Sequence, residues 1–271
     1  KRVPIAHIHG GETTEGALDE GFRHSITKMS SLHFVSAPDY RRRVIQLGED
    51  PRSVHCVGAL GVDNALGAKL LSREALEREL GFSFSGKTAL VTFHPETLAA
   101  ASPEEQVREL IAALETLKDL RVLFTMPNAD PGSRAVLSWI KAFVGRHPGR
   151  CALVASLGRI RYLSAVKYAG VVAGNSSSGI IEAPSFGKPV VDIGGRQKGR
   201  VAARSVIHCP AERAAVVRAV QKAFTPSFRR LAAAAANPYG SGKAASLIAA
   251  VLRRAVTGAP ASAKMFYDLS D

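Results

Sequence analysis

The feature that most constrains this chain is an alternation. Short, wholly apolar runs stop at a glycine or a small polar residue, and each is followed by a stretch of helical periodicity. A strand with no polar side is one buried on both faces, so the pattern predicts a parallel sheet sandwiched between helices, an α/β fold. Strands are predicted over residues 3–9, 32–36 and 54–57, and then over 89–93, 122–126, 152–155, 171–173 and 190–193. Helices are predicted over 18–30, 39–47, 72–80, 103–117, 133–144, 162–169, 179–186, 211–223 and 244–255. The alternation breaks between residues 60 and 81, which divides the chain into two Rossmann-like domains, the first of them incomplete. Residues 1–62 read as the later part of an N-terminal domain and 63–240 as a second domain. Residues 241–271 read as a final helix crossing back and a tail. In such folds ligands sit beyond the carboxyl ends of the strands.

Composition narrows the classes. With 46% hydrophobic and 22% charged residues over 271 positions, the chain can bury two medium cores and is not a disordered polymer. No apolar run is long enough to cross a bilayer and the first residues lack a cleavage-site pattern, so a cytoplasmic protein is expected. The first residue is Lys1, and the strand pattern begins almost at once, as though the sequence opened inside a domain. The net charge of +13 is spread over Ala-rich helices without a basic tract or stacking aromatics, so an anionic small substrate is expected rather than nucleic acid. Cys56, Cys151 and Cys209 have no paired spacing and read as buried reduced thiols.

The segment Gly174-Asn-Ser-Ser-Ser-Gly-Ile-Ile-Glu-Ala-Pro184 lies where a buried strand turns into a helix. Free amides at a helix start carry positive partial charge, and small hydroxyl residues let a diphosphate approach, with Ser176 and Ser177 as donors. Glu182, a turn on, can accept from ribose hydroxyls. A Ser-rich cap with a solvated Glu is the plainer alternative. After the next strand comes Gly194-Gly-Arg-Gln-Lys-Gly-Arg200, in which Arg196 offers a bidentate fork to phosphate, or else simply faces solvent. His94 ends a strand at the same edge, placed for phosphate or sugar, or as a structural histidine. Near the start, His7 and His9 share one side of a strand close to Glu12, and Asp19 and Arg23 lie four apart on a helix. Packed histidines and a helix ion pair would explain this, and a metal site is a rival reading, although no third and fourth ligand stand out. Gly240-Ser-Gly-Lys243 mimics a phosphate loop, but Asn237 and Ala244 occupy the positions that motif needs for Gly and for Ser or Thr.

Five strings together, HIHGGETTEGALDEGFRHSITKMS (7–30), TFHPET (92–97), PNAD (127–130), GNSSSGIIEAPSFGKP (174–189) and GGRQKGR (194–200), resemble the hydrolysing UDP-N-acetylglucosamine 2-epimerases of the sialic-acid type, over about residues 5–248. The resemblance implies a two-domain glycosyltransferase-B-like fold with UDP mainly on the second domain. By position it implies that Ser176, Ser177 and Arg196 hold the diphosphate and Glu182 the ribose. His94 and Asn128 would flank the nucleotide, and Leu157 would meet uracil through its backbone. Asp19 matches a carboxylate in proton transfer, and Arg23 and His24 share its motif. His9 stands where another branch has Glu, and an imidazole can do acid–base work near neutral pH. The implied reaction is loss of UDP with removal of the C2 proton to give a glycal, then hydration to N-acetylmannosamine, with no metal and no cofactor. A UDP-2,4-diacetamido-bacillosamine substrate is the near alternative, and a retaining sugar-nucleotide transferase, a metal-dependent hydrolase on His7 and His9, or a non-catalytic binding remnant are the further ones. A homo-oligomer, dimer or tetramer, is expected. Relatives carry further βα units in front, with another catalytic carboxylate, so this chain is expected to bind UDP with little turnover.

Overall fold

The computed structural model describes residues 3–14, 19–96, 99–257 and 264–269. Its front sheet has three parallel strands, β1 (Ala6–Ile8), β2 (Leu32–Val35) and β3 (Val54–Cys56), in that order. The predicted strand over 3–9 shortens because β2 offers partners only from Leu32, which aligns with Ala6, to Phe34, which aligns with Ile8. Between the strands run α1 (Asp19–Met29) and α2 (Pro38–Gln46).

Helix α3 (Leu60–Gly67) follows, crossing the position where the sequence places the domain boundary. Its two glycines make it a poor isolated helix, and burial of Val62 and Ala65 supplies what propensity does not. Next, α4 (Arg73–Leu80) starts where Ser72 Oγ accepts from the Ala75 N–H at 3.2 Å and ends at Gly81 in the left-handed region.

The second sheet contains β4 (Lys87–Thr92), β5 (Leu120–Thr125), β6 (Cys151–Val154), β7 (Val171–Gly174), β8 (Val190–Ile193) and β9 (Val206–Cys209), all parallel in the order β6-β5-β4-β7-β8-β9. The helices are α5 (Pro103–Thr116), α6 (Ser133–Arg146), α7 (Gly158–Tyr168), α8 (Ser177–Ile181), α9 (Arg213–Ala223), α10 (Pro226–Ala234) and α11 (Ala244–Thr257). Alternate residues of β4 face opposite ways: Ala89 and Val91 pack with α5, α6 and α9, while Leu90 packs with Leu76 of α4 and Ala165 and Val166 of α7. Chain order reverses between β4 and β7, the crevice where doubly wound sheets bind ligands.

Three elements, α3, β9 and α10, are absent from the sequence prediction. Strand β9 is a half-buried edge of only four residues whose apolar run is broken by His208, and α10 begins at a Thr225 cap whose side chain accepts from Phe228 N. Two thiols depart from expectation, Cys209 being only half-buried. Cys151 is buried, but Cys56 is exposed because it lies at the end of an edge strand, and all three cysteines are free.

The two sheets share a core in which Val35, Tyr40, Val44 and Val54 meet Ile180, Ile181 and Tyr239. The Tyr40 and Tyr239 hydroxyls are 2.9 Å apart, and the pair is closed by the Val201 N–H donating to Tyr40 and by Tyr239 donating to the Val201 carbonyl. Helix α11 lays Ala244 and Ile248 on Phe34 and Val57 of the front lobe. The tail follows it there: Lys264 Nζ donates to the carbonyls of Thr27, Lys28 and Ser30 at the end of α1 and pairs with Glu49 at 2.8 Å. Phe266 packs against Gly48. Among the described residues no helix is long and apolar enough to cross a membrane.

Candidate active site

At the reversal point β7 presses against β4. Gly174 sits at φ +123°, and a Cβ there would fall 1.9 Å from the Thr92 carbonyl oxygen, so only glycine lets the strands approach. Asn175 then ties the two strand ends. Its fully buried side chain accepts from the His94 N–H (2.7 Å) and donates to the His94 carbonyl (2.8 Å). Beyond it, Ser176 is the cap of α8, its Oγ accepting from Ser178 N at 3.4 Å, and Ser177 is the first helical residue. The helix predicted over 179–186 is instead a single short α-turn over 177–181, followed by a 3-10 turn over 183–186, because Pro184 has no N–H with which to continue the α ladder.

The loop after β8 folds back on this turn. Glu96, buried, accepts from the Gly195 N–H through both oxygens at 3.1 Å, while Gln197 Nε2 (2.8 Å) and Arg196 Nη1 (3.3 Å) donate to the Asn175 carbonyl. His94 Nδ1 accepts from the Asn128 N–H at 3.0 Å. Burial, and then the Arg196 charge, bring His94 down to about 4, so it is a neutral acceptor near neutral pH. Asn128 turns its own side chain to Asp130. Leu157, buried, caps α7 beyond β6. The nucleotide-side candidates therefore ring the carboxyl ends of β4 to β8.

On the front lobe, His7 and His9 go to different partners. His7 Nδ1 lies 3.1 Å from Thr27 Oγ1 on α1, and burial first, then the charges of His33 and Arg23, lower it to about 4. His9 adopts φ 65°, left-handed backbone that a non-glycine residue seldom takes, and its Nδ1 is 2.7 Å from Glu12 Oε1. Glu12 is buried, yet both of its oxygens are answered. Ser36 Oγ donates to Oε1 at 2.7 Å, and Arg200 Nη1 reaches across from the other lobe to Oε2 at 2.8 Å. Burial alone would raise this carboxyl; the bonds from His9 and the Arg200 charge outweigh it and hold Glu12 down at about 2. Arg23 does not lie idle on a helix face. It bonds the Glu12 carbonyl (3.1 Å), Thr14 Oγ1 (3.1 Å) and Glu20 (3.0 Å), and Glu20 also accepts from Thr14 N and lies 3.3 Å from His24 Nε2. Asp19 opens α1, but its side chain lies outside the described residues. No three His, Cys, Asp or Glu side chains among the described residues converge as metal ligands.

The two halves lie within electrostatic reach of one another. Burial raises Glu182, and the interactions that oppose this are its contacts with Ser178 and its own backbone together with the charges of His9 and Arg200. Sequence reasoning missed Ser36, Glu20, Asn175, Glu96 and Arg200, although the last four lie inside the strings it singled out. Ser36 carries no motif and is found only through the register that sets β2 beside β1.

The UDP-N-acetylglucosamine 2-epimerase family model matches residues 1–253. The chain is 39% identical over 270 residues to polysialic acid biosynthesis protein P7 of Escherichia coli, which covers 99% of this chain and 68% of that protein. It is 38% identical over 205 residues to the GDP/UDP-N,N'-diacetylbacillosamine 2-epimerase (hydrolyzing) of Campylobacter jejuni, covering 76% of this chain and 53% of that one, so the chain spans about half to two thirds of the length of these relatives. The crystal structure of the Neisseria meningitidis UDP-GlcNAc 2-epimerase bound to UDP-GlcNAc superposes with a TM-score of 0.78 at 19% identity, covering 93% of this chain and 70% of that one. This likeness establishes the glycosyltransferase-B-like α/β fold.

Proposed function

Because the chain belongs to the UDP-N-acetylglucosamine 2-epimerase family, we propose that its site performs the hydrolysing form of that reaction, releasing N-acetylmannosamine and UDP from UDP-N-acetylglucosamine. The observation that carries the reading is the nearness of an imidazole–carboxylate pair, His9 and Glu12, to Glu182 at the end of the Ser176 turn and to the loop that carries Arg196 and Arg200. On the nucleotide side, Ser176, Ser177 and Arg196 neutralise the departing diphosphate, Glu182 holds the ribose, His94 and Asn128 line the approach and the Leu157 backbone meets uracil. On the front side, Glu12 is ionised and can only accept, so His9 carries its proton on Nδ1 and offers the Nε2 lone pair.

That nitrogen takes the C2 proton as the C1–O bond to UDP breaks, leaving a C1=C2 glycal. Water then adds, its hydroxyl to C1 and a proton to C2 from the opposite face, for which Asp19 at the start of α1 is the candidate donor. Arg23 fixes the Glu12–Thr14 turn. The name of the Campylobacter relative favours a second reading, in which the sugar is 2,4-diacetamido-bacillosamine on UDP and the reaction is the same. We place the lobe boundary at residues 62–63, with α11 and the tail serving the front lobe.

The test is incubation of the 271-residue chain with UDP-N-acetylglucosamine in deuterated water without an acceptor. UDP should bind, and accumulate slowly, with deuterium at C2 of the released sugar. Release of UDP only on adding an acceptor sugar would assign a transferase instead, and loss of turnover to a chelator would assign a metal hydrolase.

A further inference from the structure

The loop over 194–200 carries two arginines with different destinations. Arg196 stays on the nucleotide side, against the Asn175 carbonyl, whereas Arg200 crosses to the front lobe and meets Glu12. Its side chain is 8% exposed and that of Glu12 is 5% exposed, so the ion pair is shut off from water. Thr14 Oγ1, which also holds Arg23, braces Arg200 Nη2 at 3.4 Å. Arg200 Nε is buried and makes no hydrogen bond among the described residues.

A buried carboxylate with only an imidazole beside it would draw a second proton onto that imidazole to balance its charge. A base in that state has lost its lone pair. His9 is faced by Glu12 on its own turn, Arg200 from the loop after β8, Glu182 from the end of α8 and His7 from β1. Among these groups Arg200 is the one that answers the Glu12 charge by direct contact without involving His9.

Resting on the reading of His9 as the base, we propose that Arg200 is a positioning residue that arms it from the opposite lobe. By neutralising Glu12, Arg200 leaves His9 with a single proton on Nδ1 and an open Nε2. The same reading gives Arg196, on the same loop, to the diphosphate, so one loop would serve both nucleotide capture and arming of the base. Arg200 itself touches no reacting atom.

The test uses the full chain with 15N-labelled histidine, the His9 resonances being assigned by their loss in His9→Gln. Near neutral pH the wild-type Nε2 should resonate as an unprotonated, acceptor nitrogen and Nδ1 as a protonated one, more sharply with UDP bound. In Arg200→Gln the Nε2 signal should shift toward the protonated form. C2 deuterium exchange should fall about 10–100-fold, the range for partners that orient a functional histidine, with little change in UDP affinity. Arg200→Lys should restore most of both, and Glu12→Gln should remove the tautomer preference even if Arg200→Gln does not fold. An unchanged Nε2 signal in Arg200→Gln, or an unchanged tautomer preference in Glu12→Gln, overturns the inference and leaves the epimerase reading intact. A shifted signal in a chain that releases no UDP would do the reverse.

Discussion

Replacing Asn175 probes the joint on which the nucleotide half of the site is built. Its amide exchanges two hydrogen bonds with the His94 backbone, at 2.7 and 2.8 Å, and is fully buried. Asn175→Ala removes both bonds and strands the His94 N–H at a strand end. At ~1 kcal/mol for each lost bond and ~1–3 kcal/mol for the donor left unpaired, the cost should be about 3–5 kcal/mol. Asn175→Asp keeps the shape but turns an oxygen toward the His94 carbonyl and toward Glu96 Oε1, which the native amide nitrogen approaches at 3.4 Å. Two like charges at that separation repel by roughly 4–5 kcal/mol at the effective dielectric of a protein site, so the aspartate should be the more damaging change and should partly recover in acid. The single tryptophan, Trp139, packs against the core of this lobe and gives the signal for urea unfolding. The expected loss for alanine corresponds to a melting temperature lower by roughly 2–4 °C per kcal/mol. An alanine variant within about 0.5 kcal/mol of the parent, or an aspartate variant more stable than the alanine one at neutral pH, would refute the account.

Two further outcomes follow from the ties between the lobes. Glu12 is lowered from 4.5 to about 2, so its contribution is complete above pH 4.5 and fades as pH falls toward 2; between pH 6 and 3 the parent should lose ~2 kcal/mol more stability than Glu12→Gln, read from urea midpoints at each pH. Tyr239→Phe removes the donor to the Val201 carbonyl and a partner of Tyr40, and should cost ~1–3 kcal/mol with no change in secondary structure by circular dichroism, whereas a neutral effect would mean that the tyrosine pair does not join the lobes.

The sheet was legible because strands such as Ala89–Val91 are buried on both faces and so are written as unbroken apolar runs. Edge strand β9 and helix α3 were not, since one is half exposed and the other draws its helicity from Val62 and Ala65 packing on elements far away in the chain. The same division holds for the site. The Ser176–Glu182 turn is a local motif and can be found by reading along the chain. The Arg200–Glu12 pair joins residues 188 positions apart, and nothing in either neighbourhood announces the other. Likewise, His7 and His9 looked equivalent by spacing, and the left-handed backbone at His9 sends the two rings to different neighbours.

The return of the last segments to the front lobe bears on the order in which the molecule acquires its shape. The six-stranded sheet and its helices close within residues 87–234 and can consolidate from contacts moderately close in sequence. The three-stranded sheet must wait for Tyr239, for α11 and for Lys264, which gathers the carbonyls at the end of α1 from more than 230 positions away. Loops that long close slowly. The phosphate-side turn should therefore be in place early during refolding, and the imidazole of His9 should find its carboxylate last.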